Sequence, residues 1–160
     1  FQRYHMEYHV ASNFYGGDHH NMVGFHIDEA VYAPLYYGYG GEGEYADRKQ
    51  MARSVEAHIM EVAPDTVLVL VKAEPEIISH RLKDNPKPRN ILKEQDIEHV
   101  IRRFQEEYDD SLVMNKFSLD TTSAGAGETR EAFLDKVWPY LTQEDRLRIA
   151  TPRRQKDSQP

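Results

Sequence analysis

The spacing of apolar residues along this chain predicts several buried strands. The clearest is Thr66–Val71, where β-branched residues and leucine follow one another without polar alternation. Such a run is typical of a strand buried on both faces, as in a parallel sheet. Residues 21–27 form another apolar run, which predicts a buried strand ending at Asp28 and Glu29. Residues 116–120 predict a third, short strand.

Helical periodicity accounts for much of the remaining chain. Aromatic residues spaced three and four apart predict a helix over residues 1–15. Asp47 can cap a helix whose apolar face extends to Val62. Residues 83–93 are polar and contain two prolines, which predicts a loop. Further helices are expected over residues 75–82, 94–112 and 128–141.

The order of these elements predicts an α/β fold. Strands that alternate with helices favour a parallel sheet with crossover helices, and therefore a three-layer architecture. The length of 160 residues suits a single domain. We place this domain at residues 1–141, followed by a polar C-terminal extension at residues 142–160. The last nine residues of the extension are expected to be mobile.

Composition and charge narrow the classes of function. The net charge is −7 and no basic stripe dominates a long segment, which disfavours general nucleic-acid binding. No apolar run approaches the roughly 18 residues of a membrane span, so we expect no membrane partner. Cysteine is absent, which excludes disulfides and thiolate metal sites and fits a cytoplasmic protein. The sequence leaves open whether the protein forms a homodimer.

Eight histidines raise the alternative of a metal-dependent hydrolase. Two of them are four residues apart on a predicted helix, and three more lie near Asp28; they are His5, His9, His19, His20 and His26. The residues between the first pair do not match a zinc-protease pattern, and scattered histidines more often pack or face solvent. The tyrosines at positions 32–45 could stack on a base or sugar, or could simply pack.

A succession of short motifs over residues 66–141 resembles a known family. The buried strand is followed by the segment AEPEIISHRL at residues 73–82, and then by a basic loop. After these come an acid at Glu94, a helix with Val100, Phe104 and Tyr108, and the segment LDTT at residues 119–122. In order, spacing and residue type, this region resembles thymidylate kinase and its nucleoside-kinase relatives. The resemblance implies a P-loop nucleotide-kinase fold and phosphoryl transfer from ATP, with Mg²⁺, to a nucleotide, nucleoside or similar small acceptor.

The resemblance also implies roles for individual residues. Asp28 would be the acceptor-side acid and Arg81 would contact phosphates. Family members place an arginine beside this acid, whereas here Glu29 and Ala30 follow it. The remaining implied residues are the cations of a mobile lid, Lys83, Lys87, Arg89 and Lys93; the acceptor-binding residues Glu29, Tyr32 and Tyr36; and the nucleotide-base loop Thr121, Thr122 and Ser123. No residue is assigned as a metal ligand.

These roles agree with the chemistry of phosphoryl transfer. Charge spreads over the oxygens of the transferred group, so catalysis depends on positioning and on cations, with a carboxylate to orient the acceptor hydroxyl. Arg81 and the lid cations could deliver charge when the lid closes. The alternatives are that the lid residues form a solvated loop and that Asp28 caps a helix or forms a salt bridge.

The phosphate-binding loop of such an enzyme is missing from the sequence. That motif reads G-x-x-x-x-G-K-(S/T), and its backbone amides and lysine hold the phosphates. No glycine cluster here supplies it, since residues 38–43 lack the lysine and Glu128 stands where the lysine would follow residues 125–127. Two hypotheses remain. Either the chain begins about 60 or more residues into a longer protein, or it is a degenerate relative that serves as a binding or assembly module without chemistry.

Overall fold

A computed structural model describes residues 21–86 and 91–150. The helix expected over residues 1–15 and the last nine residues lie outside these ranges. The α-helices and strands in chain order are α1 (His26–Tyr32), α2 (Arg48–Val62), β1 (Val67–Lys72), α3 (Pro75–Asp84), α4 (Ile97–Asp109), β2 (Asn115–Asp120), α5 (Ala126–Val137) and α6 (Gln143–Ala150). A π-helical turn covers Ala33–Tyr37, and 3-10 turns cover Glu94–Asp96 and Trp138–Tyr140.

The two strands pair in parallel, as their composition predicts. Val67 lies opposite Asn115, and the register continues to Lys72 opposite Asp120. Helices α3 and α4 connect the strands, and α4 contacts both α3 and β1. The fold is therefore of the mixed α/β class, with a two-stranded parallel sheet in the part of the chain that the structure describes.

The strand predicted over residues 21–27 is wrong. Residues 21–25 form no regular element, and α1 begins at His26. Gly24 has a left-handed backbone conformation (φ 68°), which interrupts any extended run. Beyond it, Ile27 and Val31 are four residues apart, which is helical spacing, and Val31 is buried. Asp28 and Glu29 therefore lie in the first turn of a helix and not at the end of a strand.

Helix α1 continues directly into the π-helical turn. Pro34 has no N–H to donate to the preceding turn, and the wider turn accommodates the missing hydrogen bond. The left-handed Gly38 (φ 67°) ends it. The loop that follows leads into α2 and packs against its first residue, since Arg48 N donates to Gly40 O at 3.0 Å. A Cβ at Gly40 would collide with the Arg48 side chain, so this approach requires glycine.

The predicted cap of α2 is confirmed. The Asp47 side chain accepts hydrogen bonds from Lys49 N at 2.9 Å and from Gln50 N at 3.1 Å. It also accepts one from Gly43 N at 2.9 Å, which ties the preceding loop to the helix. Burial by itself raises the pKa of Asp47, but these backbone hydrogen bonds outweigh burial and hold the pKa below its usual value.

Apolar residues from α1, α2 and α4 form the core, where α1 contacts both other helices. The buried apolar side chains include Ala30, Val31, Ala33, Ala52, Ile59, Ile97, Val100, Val113 and Leu119. Helix α5 contacts β2. The polar C-terminal extension contains α6, which packs back on the domain where Arg146 donates to Trp138 O at 3.1 Å and its guanidinium lies over the Trp138 ring.

Candidate functional site

A shallow surface depression of about 520 Å³, open to solvent and called the cavity below, lies where β2 ends and α5 begins. It is lined by Arg81, Leu119, Thr121, Ala124, Ala126, Thr129, Arg130 and Phe133. One wall is apolar, and two arginines and two threonine hydroxyls supply polar groups. In open α/β sheets, ligands bind at the carboxyl ends of parallel strands. The cavity therefore lies where this fold class places its sites.

Arg81 is fixed at the edge of this cavity. Its Nη1 donates to Thr121 Oγ1 at 3.0 Å, and its Nη2 donates to the Thr121 carbonyl oxygen at 2.6 Å. Thr121 is buried, and both its amide and its hydroxyl donate to Lys72 O at the end of β1. Two hydrogen bonds to one residue fix the plane of the guanidinium before any ligand arrives.

The rest of the predicted nucleotide-base loop is only partly available for a ligand. Thr122 N donates to Asp120 Oδ1 at 2.9 Å, and Thr122 Oγ1 accepts from Glu74 N at 3.0 Å. The hydrogen bonds from Thr122, with a smaller effect of the Lys72 charge, lower the pKa of Asp120. Ser123 is exposed in the same loop. Thr121 thus lines the cavity, whereas Thr122 joins the two strand ends.

The predicted lid cations Lys83 and Lys93 do not lie beside Arg81. Lys83 pairs with Glu94, which also accepts from Ser79 Oγ at 2.6 Å, and these two contacts lower the pKa of Glu94. Lys93 lies with its Nζ 5.8 Å from the centre of the Tyr36 ring. Neither lysine lines the cavity beside Arg81. Lys87 and Arg89 lie outside the described residues.

The predicted acceptor-side acid lies on α1. The Asp28 carboxyl is half-buried and reaches back over Gly24, where an added Cβ would come within 2.8 Å of Asp28 Oδ2. Burial raises the pKa of Asp28, against an opposing effect of His26 and with a further increase from the charge of Glu29. Asp28 does not line the cavity beside Arg81.

The other predicted acceptor residues, Glu29, Tyr32 and Tyr36, are engaged with neighbouring side chains. Glu29 accepts from Tyr39 Oη at 3.3 Å and lies 3.7 Å from Arg48 Nε. The rings of Tyr32 and Tyr36 stack with centroids 5.9 Å apart, and Tyr32 also meets Phe104 edge to face. Burial, with a smaller effect of the Asp28 charge, raises the pKa of Tyr32 to about 12. Its hydroxyl therefore stays protonated at neutral pH.

Tyr36 connects the π-helical turn to the segment that follows α3. Its hydroxyl donates to Asp96 Oδ2 at 2.9 Å and accepts from Lys93 N at 3.4 Å. Burial, partly offset by the Lys93 amide, raises the pKa of Tyr36. The 3-10 turn at Glu94–Asp96 thus contacts α3 through Glu94 and the π-helical turn through Asp96.

A buried network of charges behind α1 was not predicted. Glu56 and Glu107 are both 0% exposed, and Arg53 lies between them, 3.0 Å from Glu56 Oε2 and 2.8 Å from Glu107 Oε2. Arg103 Nη2 reaches Glu107 Oε1 at 2.9 Å, and His26 Nε2 reaches Glu56 Oε1 at 3.0 Å. The network joins α1, α2 and α4. One signal could have revealed it, because Glu56 lies between Ala52 and Ile59 on the apolar face of α2.

Of the eight lining residues, only Arg81 and Thr121 were predicted as site residues. Those missed include Thr129, Arg130 and Phe133, which all come from α5, and Phe133 is partly exposed. Within residues 21–86 and 91–150 no group of three or more histidine, aspartate or glutamate side chains could hold a metal ion. In the same ranges no helix combines the length and apolar character that crossing a membrane would require.

Searches of protein-family models, of curated proteins and of solved structures each find no match to this chain.

Proposed function

We propose that this protein is a phosphotransferase of the P-loop nucleotide-kinase type, which uses ATP and acts on a nucleotide, nucleoside or similar small acceptor. One observation carries the proposal: Arg81 and the loop after β2 border a cavity at the carboxyl end of a parallel strand. A volume of about 520 Å³ is within the usual size of small-molecule sites. The sequence motifs of residues 66–141 support the same function.

The cavity suits the base and sugar end of a nucleotide. The guanidinium of Arg81 is planar and fixed, and such a group can stack on an aromatic ring. Leu119 and Phe133 add apolar surface for the ring, and the Thr129 hydroxyl can hydrogen-bond to its polar edge. The Thr121 hydroxyl is already used by Lys72 O and Arg81. Arg130 adds a second positive charge.

The described residues offer fewer groups to bind the phosphates of ATP than to bind its base and sugar. The sequence has no G-x-x-x-x-G-K-(S/T) motif, and the described residues contain no cluster of three metal ligands. Mg²⁺ often binds through substrate phosphates and only one or two carboxylates, so the absence of a cluster is compatible with a bound Mg–nucleotide. When bound, Mg–ATP supplies the phosphoryl group.

On the acceptor side, Asp28 would orient the hydroxyl that receives the phosphoryl group. Its pKa is raised by burial, which brings the carboxyl nearer to the range in which a side chain can accept a proton at neutral pH. Tyr32, which stays protonated, can donate a hydrogen bond beside it.

A second candidate is a kinase-like binding module without chemistry. It is favoured by the separation of Asp28 from the cavity, because Asp28 is not among the cavity's lining residues. Both candidates bind nucleotide, and only the first transfers phosphate.

Nucleotide binding tests what the two candidates share. We expect titration calorimetry with ATP, ADP and adenosine, in the presence of Mg²⁺, to show binding. Arg81→Ala should weaken it about tenfold or more, since the stacking and charge of one arginine contribute on the order of 1–2 kcal/mol. Lys83→Ala is the matched control, because Lys83 is on the same helix but pairs with Glu94 outside the cavity. No binding at millimolar nucleotide would refute the proposal.

Phosphoryl transfer distinguishes the two candidates. Radiolabelled ATP is incubated with the protein and a panel of nucleosides and nucleoside monophosphates, and labelled products are counted. The kinase proposal predicts a labelled nucleotide that disappears in Asp28→Asn while calorimetric binding of ATP remains. Binding without any transfer would establish the binding module.

A further inference from the structure

We infer that Glu56 is a positioning residue, which holds the first turn of α1 through His26 and so sets where the Asp28 carboxyl lies. The inference rests on the proposed role of Asp28 as the acceptor-side acid. It adds a residue from α2 that acts on the site through the imidazole of His26.

All the acceptor capacity of Glu56 is used. Oε1 accepts from Ser111 Oγ at 2.8 Å and lies 3.0 Å from His26 Nε2. Oε2 accepts from Leu112 N at 2.9 Å and lies 3.0 Å from Arg53 Nη1. An ionised carboxylate has about four lone-pair sites and no proton, so four donors satisfy it completely. His26 must therefore donate from Nε2, and its ring orientation is fixed by a buried charge.

The first turn of helix α1 has no side-chain cap. The helix is seven residues long, and its N-cap is Phe25, which makes no side-chain hydrogen bond to the first turn. Helices of this length are marginal without tertiary contacts. The His26 side chain is 11% exposed, and its contact with Glu56 is made by the first residue of the helix, two positions before Asp28. Because a rigid first turn carries both side chains, fixing His26 also fixes Asp28.

The surroundings of Asp28 would respond to the loss of this contact. The charged and titratable groups that affect it are His26 and Glu29, and Asp28 in turn affects Tyr32. If His26 is released, the first turn can move toward solvent and the burial that raises the pKa of Asp28 decreases. The pKa of Asp28 should then fall toward its ordinary value.

Glu107 provides a matched control within the same network. It is also 0% exposed and also pairs with Arg53, but its partners are on α2 and α4 and none is on α1. A general loss of stability should therefore follow from either substitution, whereas displacement of α1 should follow only from the change at Glu56.

The test compares Glu56→Gln and Glu107→Gln by nuclear magnetic resonance at the carboxyl carbon of Asp28 and by hydrogen exchange of the α1 amides. In Glu56→Gln we expect a lower Asp28 pKa and exchange about tenfold or more faster in α1, because a charged buried hydrogen bond is lost. In Glu107→Gln we expect the Asp28 pKa to match the wild type, and exchange in α1 to increase no more than exchange in the other helices. If Glu56→Gln does not fold, His26→Gln serves in its place for the exchange measurement alone, since it leaves the other three donors to Glu56 but also removes the imidazole that itself lowers the Asp28 pKa.

The inference is overturned if the Asp28 pKa and α1 exchange are unchanged in the variant, or if both glutamate variants change them equally. Titration of the same variants with ATP keeps the two proposals separate. Nucleotide binding is expected to persist in Glu56→Gln, because Glu56 does not line the cavity. If the wild type does not bind nucleotide, the proposed function is contradicted, but the measured effect of Glu56 on the Asp28 pKa still stands.

Discussion

Arg53 should be the most sensitive single position in the buried network. It lies between two carboxylates that are both 0% exposed, at 3.0 Å from Glu56 and 2.8 Å from Glu107, and it also donates to Glu107 O at 3.3 Å. Arg53→Ala leaves two buried negative charges with fewer compensating donors. Breaking a buried ion pair by removing one partner costs about 3–5 kcal/mol.

That loss is a large part of the total stability of a domain, which is about 5–15 kcal/mol. For a chain of this size it corresponds to a decrease of roughly 6–20 °C in Tm. Thermal unfolding followed by circular dichroism and urea unfolding at pH 7 would both measure it. Lys49→Ala is the control, because the Lys49–Asp110 pair on the same side of α2 is largely exposed and such pairs contribute little.

The pH dependence gives a second check on the same mechanism. Burial by itself raises the pKa of Glu56, but hydrogen bonds from His26, Leu112 and Ser111 and the charge of Arg53 hold it below the usual value. A lowered pKa stabilises the folded state above the ordinary glutamate pKa, and this contribution is lost as the pH falls through the folded-state pKa. The difference in unfolding free energy between the wild type and Arg53→Ala should therefore become smaller as the pH falls. A loss of less than about 1 kcal/mol at pH 7 would refute the buried-charge account.

Two further predictions concern single carboxylates. Asp47→Ala should lower the free energy of unfolding, measured with urea, by about 1–2 kcal/mol, because three backbone N–H groups lose their acceptor. Asp47→Asn should keep most of the wild-type stability, since the asparagine oxygen can still accept. Equal losses in the two variants would contradict the cap. Asp28→Asn should be at least as stable as the wild type at pH 7, because a raised folded-state pKa destabilises the fold as the pH rises through it. The extra stability of Asp28→Asn should disappear below the ordinary aspartate pKa. Melting curves from pH 3 to 8 test this, and a difference in Tm that does not change with pH would contradict it.

Local patterns predicted the elements from α2 to β2 well. The uninterrupted run at residues 66–71 indicated a parallel strand, and β1 and β2 do pair in parallel. Pro75 marked the first turn of α3, and Asp47 capped α2, because both signals depend on backbone chemistry within a few residues. Signals of this kind do not depend on distant parts of the chain.

Residues 21–46 were predicted less well because tertiary contacts decide their structure. The apolar residues of the 21–27 run fit a strand as well as a helix over so short a window. Packing of Ala30 and Val31 selects the helix. The same limitation applies to the site. The motifs named Arg81 and Thr121 separately, and the structure brings these two residues into contact. Glu56, Arg53 and Glu107 are brought together only by helix packing, which no local motif reports.

The parallel pairing of β1 and β2 has a consequence for how the chain folds. Val67 and its partner Asn115 are about fifty positions apart, and α3 and α4 must be traversed before the strands meet. Non-local pairing of this kind slows folding, since the entropy of closing the connection is lost before the strand contacts form. During that interval the apolar strand VLVLV at residues 67–71 has no neighbour in β2, and unpaired edges of this composition associate between molecules. Refolding yield should therefore fall as protein concentration rises.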